Sequence, residues 1–224
     1  MGKPRRNVES ASGRKGRLDG KSAIWKKIRK MFPLNEIYDT YAANNLPGRL
    51  SFSNQILKPM PAISIEDLRA HSTWLHTNGA EGQALHVSNA ELAEVDLTGR
   101  NLAKAKLPFA DLSRAKLIGT NFEGADLTNA TLIGADCSGA TFSKAQLANA
   151  DCTGADMDGT QFLGAILTQA NFSEADCSGA QFDGADVTGA KFTNADLAGA
   201  DFTGARQANA DFTGADLTDT RGLG

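Results

Sequence analysis

Cysteine is scarce in this chain, three among 224 residues. An odd count with no secretory leader excludes a disulfide framework. Proline is scarce as well, six in all, and four of those fall between residues 33 and 62. No apolar run approaches the roughly 18 residues that a membrane span requires. Arg5-Arg6 lacks the apolar stretch of an export signal, and Gly2 is followed at the fourth place by Arg6, where a myristoylation motif wants Ser or Thr. A soluble cytoplasmic protein is the expectation. Catalytic signatures are missing too: there is no phosphate loop, CxxC or HExxH, and no Ser/His/Asp constellation. His71, His76 and His86 follow no known ligand spacing. No enzyme activity, metal or cofactor is expected.

The overall charge of −3 conceals an asymmetry. Residues 1–89 carry 14 Lys/Arg against 7 Asp/Glu, whereas residues 90–224 carry 9 against 19. A basic head therefore precedes an acidic body, which argues against direct nucleic-acid binding by the body.

From Leu92 to Leu217 an apolar centre recurs every five residues without insertion, 26 times, and only Gln207 among these centres is polar. Two residues before the centre stands Ala in 22 of the 26, the exceptions being Val95, Arg100, Thr120 and Thr160. Two residues after it, 14 positions are Gly and four are Asn, the residues that best tolerate positive φ. A helix turns about 500° in five residues, so the centres would spiral around it. A strand would put alternate centres on opposite faces. A chain that turns a corner every five residues keeps every centre inward, and stacking of successive coils pairs the backbone.

The repeats "GADLT", "NADLA" and "GADFT" resemble the pentapeptide repeat family, whose consensus is Ala-(Asp/Asn)-Leu-x-x. The resemblance covers residues 90–220 and implies an all-β fold, a right-handed quadrilateral β-helix with four repeats per coil. Sorting the centres by twenties supports a four-sided section. Phe122, Phe142, Phe162, Phe182 and Phe202 share one column, and Phe172, Phe192 and Phe212 share the opposite one. Cys137, Cys152 and Cys177 fall in inward slots, where cysteine behaves as a small hydrophobe.

The residue before each centre points outward. On one side these are Asp96, Lys116, Asp136, Asp156, Asp176, Asp196 and Asp216, an acidic ladder and the candidate partner-binding surface. Some pentapeptide repeat proteins imitate duplex DNA and bind gyrase, and the resemblance makes a topoisomerase-binding mimic one alternative. The plainer reading of the same aspartates is that they bond turn amides and keep the solenoid soluble. Family members of the gyrase-acting kind carry interrupting loops and a dimerising C-terminal helix. Here no loop breaks residues 90–220, and the chain ends in "TDTRGLG".

Residues 1–20 read as a disordered basic tail, residues 21–32 as an amphipathic basic helix, and residues 33–63 as a linker. In "SAIWKKIRKMF", Lys26, Lys27, Arg29 and Lys30 oppose an apolar face and suit an anionic membrane surface or an acidic partner. A peripheral membrane adaptor is thus a second alternative. Residues 64–79 read as a capping helix opened by Ser64 and Asp67, with Leu68, His71, Trp74 and Leu75 on one face and Asn78-Gly79 at its end. Its His-x-x-Trp-Leu motif resembles the helical leader of many bacterial pentapeptide repeat domains. The repeat solenoid is assigned to residues 84–221. Gln207 and Leu217 suggest a loose C-terminal end, and with it an end-to-end homodimer. The expected function is a non-enzymatic solenoid scaffold for an unspecified protein partner.

Overall fold

The computed structural model describes residues 63–224. The assigned tail, basic helix and all of the linker but Ile63, with Lys26, Lys27, Arg29 and Lys30, lie outside the described residues. Helix α1 spans Ile65–His76. Its start is fixed by a reciprocal capping box: the Asp67 N–H donates to Ser64 Oγ at 3.0 Å, and the Ser64 N–H donates to Asp67 Oδ2 at 2.9 Å. It ends where Asn78 and Gly79 take φ of 51° and 87°. The chain then folds back, and the Gln83 N–H reaches the Ala70 carbonyl at 3.1 Å.

Beyond α1 every outward residue bridges in parallel to the residue 20 positions on, from His86↔Lys106 to Asp201↔Arg221. Four five-residue sides thus complete one coil. We label the sides by their centres: side A holds Leu92 and Leu112, side B Leu97 and Leu117, side C Leu102 and Phe122, and side D Leu107 and Leu127. The ladder opens one repeat earlier than the 26-fold pattern, at His86. Leu85-His86-Val87-Ser88-Asn89 has Leu instead of Ala in its first slot, which hides it from the consensus.

A single repeat shows why the period is five. The Phe122 N–H donates to the Thr141 carbonyl at 2.7 Å, and the Gly124 N–H to Ser143 at 2.9 Å, both in the next coil. The Asp126 N–H returns to Ala105 in the previous coil at 2.8 Å, and the Ala125 N–H closes the corner on Phe122 at 2.9 Å. That leaves the Glu123 N–H, which donates to the side-chain Oδ1 of Asn121 at 2.8 Å. All five donors are satisfied, as buried backbone requires. The Asp or Asn before each centre therefore completes the backbone as well as facing solvent.

The corner residue has positive φ in all 26 repeats of the Leu92–Leu217 series. Glycine or asparagine was expected there, yet Glu94, Lys104, Phe109, Arg114, Lys144, Gln169, Glu174 and Asp219 take the same left-handed conformation. The inter-coil bonds on either side impose it on whatever residue is present. Phe109, at φ 60° and 56% exposed, has little packing to set against that strain. Relief of about 1–2 kcal/mol exceeds glycine's entropic cost of about 0.5–1 kcal/mol. Phe109→Gly is therefore expected to raise stability by about 0.5–1 kcal/mol, read as a higher denaturant midpoint at unchanged slope.

The interior is filled by the centres and the alanines, almost all of them fully buried as far as Phe202. The side C phenylalanines stack at ring separations of 5.0, 5.3, 4.9 and 4.5 Å from Phe122 to Phe202. Phe172, Phe192 and Phe212 of side A stack likewise and meet them edge-on, as Phe162 and Phe172 do at 5.7 Å and 82°. Where Ala is replaced by Thr at the start of side C, the buried hydroxyl finds a partner: Thr120 Oγ1 donates to Leu97 at 2.8 Å, and Thr160 Oγ1 to Cys137 at 3.0 Å. The three cysteines are free and buried, and burial pushes their thiols up. At the far end Phe212 is half-buried and Leu217 is 40% exposed. Gln207 donates through Nε2 to the Gly222 carbonyl at 2.6 Å.

Candidate interaction surface

Side B carries the acidic ladder. Asp136, Asp156, Asp176, Asp196 and Asp216 are bridged each to the next, and Lys116 separates Asp136 from Asp96. From residue 135 onward no Lys or Arg occupies this side. Each ladder aspartate accepts the N–H of the residue two positions on: Thr98 at 3.0 Å, Ser138 at 3.3 Å, Asp158 at 3.2 Å, Ser178 at 3.0 Å, Ala198 at 2.9 Å and Thr218 at 2.9 Å. The Ser138, Ser178 and Thr218 hydroxyls add second bonds to the same Oδ1 atoms at 2.6–2.7 Å. The Thr98 hydroxyl and N–H hold Asp96 below the usual carboxylate range, and those of Thr218 do the same for Asp216. One oxygen of each carboxylate thus serves the turn. Five of the six are exposed, and Asp136 is half-buried.

Two features of this side were not singled out from the sequence. Asp158 brings a further carboxylate between the rows and accepts from Ser178 Oγ at 3.2 Å. The corner is glycine in six successive coils, from Gly99 through Gly119, Gly139, Gly159 and Gly179 to Gly199. A Cβ added to any of the first four meets nothing within 4 Å. The ladder is therefore flanked by a strip of bare backbone. Sorting the corner residues by twenties, as was done for the centres, would have revealed it.

The other sides are mixed in charge. Arg206 pairs with Asp186 at 3.4 Å on side D, and Lys144 with Glu123 and Arg114 with Glu94 lie across neighbouring coils at 3.5 and 4.0 Å. These exposed pairs contribute little to stability. No group of His, Cys, Asp or Glu among the described residues has the arrangement of a metal site. No helix among them is long and apolar enough to cross a membrane.

The fold and its surface define a four-sided β-solenoid of stacked five-residue turns. The family described as pentapeptide repeats matches the chain in eight copies, within residues 90–219. The chain belongs to this family of right-handed β-helices. Among curated proteins none matches it in sequence. Similar solved structures include HetL of Nostoc sp. strain PCC 7120, a pentapeptide repeat protein involved in heterocyst differentiation regulation. It is 24% identical over 67% of this chain and 92% of its own, with a TM-score of 0.42. A trypsin-treated form of QnrB1, a plasmid-mediated fluoroquinolone resistance protein, is 25% identical over 60% of this chain and 74% of its own, TM-score 0.31. A pentapeptide repeat protein of the Arabidopsis thaliana thylakoid lumen is 35% identical over 46% of this chain and 69% of its own, TM-score 0.25.

Proposed function

We propose that this chain is a non-enzymatic scaffold whose rigid solenoid presents flat faces, side B foremost, to a protein partner. The observation that supports this reading is the filled interior: centres and alanines from Leu85 to Phe202 are buried in one continuous core. That leaves the outward rows to carry recognition. On side B the carboxylates stand in register about 4.8 Å apart, beside a strip without side chains, which favours a flat cationic surface.

The DNA-mimic reading rests on the same ladder, and charge density ranks it second. Residues 90–224 carry a net charge of −10 along about 31 Å of solenoid, roughly one charge per 3 Å. Duplex DNA carries about one per 1.7 Å. A gyrase supercoiling assay separates the two readings. The variant replaces Asp136, Asp156, Asp176 and Asp196 by Asn, which keeps the acceptor for each turn and removes four charges. No inhibition by the unaltered protein at tens of micromolar is the expected result. Inhibition that the variant lacks would replace the scaffold reading with mimicry.

A further inference from the structure

We propose that His71 is an acid-released latch, which holds α1 against the first coil only as the neutral imidazole. The Leu85 N–H donates to His71 Nδ1 at 3.0 Å. Nδ1 must then carry a lone pair, and the neutral ring bears its proton on Nε2. That bond joins the cap to the residue where the solenoid begins: the Leu85 carbonyl accepts the first inter-coil bond, from the Lys106 N–H at 2.8 Å. His71 is fully buried, its ring lies stacked on Trp74 at 5.8 Å, and Nε2 has no hydrogen-bond partner.

Protonation would place a second donor against the Leu85 N–H and leave a charge in an apolar seam. The neighbouring charges give an imidazolium no compensation. On α1, Glu66 lies 4.0 Å from Arg69, Asp67 is committed to the capping box, and His76 Nδ1 lies 2.7 Å from the Ser72 carbonyl. From the coil, His86 acts on His71 with the same sign of charge, and His86 is bridged to Lys106. The Ala103 backbone is the one neighbour that favours the charged form.

Burial, the largest influence, holds His71 below the ordinary histidine value of 6.5. The released cap therefore binds a proton more readily than the docked one. Docking is at full strength above that value and is lost as pH falls beneath it. Acidification uncovers Leu85 and the N-terminal edge of the first coil, and the coils beyond stay intact.

Hydrogen exchange of the full chain, corrected for intrinsic rates, tests this between pH 7.5 and 5. Protection of residues 65–85 is expected to fall by up to about tenfold per pH unit, while residues 130–200 keep theirs. The Leu85 amide resonance should titrate with the His71 ring, and His86→Gln should retain the step. In His71→Gln the step should vanish, whether the cap then stays docked or stays open. Protection that is flat with pH, a step that survives in His71→Gln, or one that disappears with His86 would overturn the proposal.

Discussion

Replacing Phe162 by Ala is expected to lower the unfolding free energy by about 3–5 kcal/mol. Phe162 is fully buried, stacked between Phe142 at 5.3 Å and Phe182 at 4.9 Å, and edge-on to Phe172 at 5.7 Å. The coils are closed by backbone bonds on every side, so the walls have little room to collapse into the void. Lost ring contacts of about 0.5–1.5 kcal/mol per pair add to the loss of buried area. Phe212→Ala is the control: this ring touches Phe192 and Phe202 but is only half-buried. Its loss should cost less than half as much. Equal shifts of the two variants in a denaturant titration would mean that the aromatic columns are not the energetic centre of the solenoid.

Gly82→Ala is the second change with a large effect, and it acts at the cap. Gly82 has φ of +78°, and an added Cβ would press on the Ala70 carbonyl while lying 2.7 Å from the Trp74 nitrogen and 3.0 Å from Thr73 Cβ. Two of these three atoms belong to the α1 backbone and cannot swing aside. Strain at the left-handed angle and overpacking together cost about 2–5 kcal/mol, enough to undock α1. Exchange protection of residues 65–76 should collapse while that of residues 130–200 is unchanged. Gly99→Ala isolates the backbone part, because at φ +63° its Cβ would meet nothing within 4 Å. A loss as large at Gly99 as at Gly82 would show that close approach is not what requires glycine in the cap.

The architecture was legible because five-residue spacing excludes helix and strand, and because Phe recurs every 20 residues within each of the two columns. The parallel bridges have that same 20-residue register. The left-handed corners at Glu94 and Phe109 were not legible, because the ladder imposes them against local preference. The opening repeat falls within the assigned 84–221, although Leu85 stands in a slot that is usually Ala. For the surface, the positions of the aspartates and their bonding to turn amides could be read directly, but not which amide each of them serves. That service depends on which N–H each five-residue side leaves without a backbone acceptor. The environment of His71 was also out of reach, because it depends on a contact with Leu85 across 14 residues.

The 20-residue register also governs how such a protein can change in length over evolutionary time. Duplicating one whole coil returns every downstream residue to the side it came from, and an added coil between Asp176 and Asp196 simply lengthens the acidic row. Duplicating one five-residue repeat preserves the consensus, the corners and the hydrophobic spacing equally well. Yet it turns everything beyond it by a quarter revolution, sending Asp196 and Asp216 to a neighbouring face. Both products would look alike in a repeat count. Surface recognition in this protein is therefore inherited through a counting rule, and gains or losses of single repeats reassign the faces while keeping the five-residue coil.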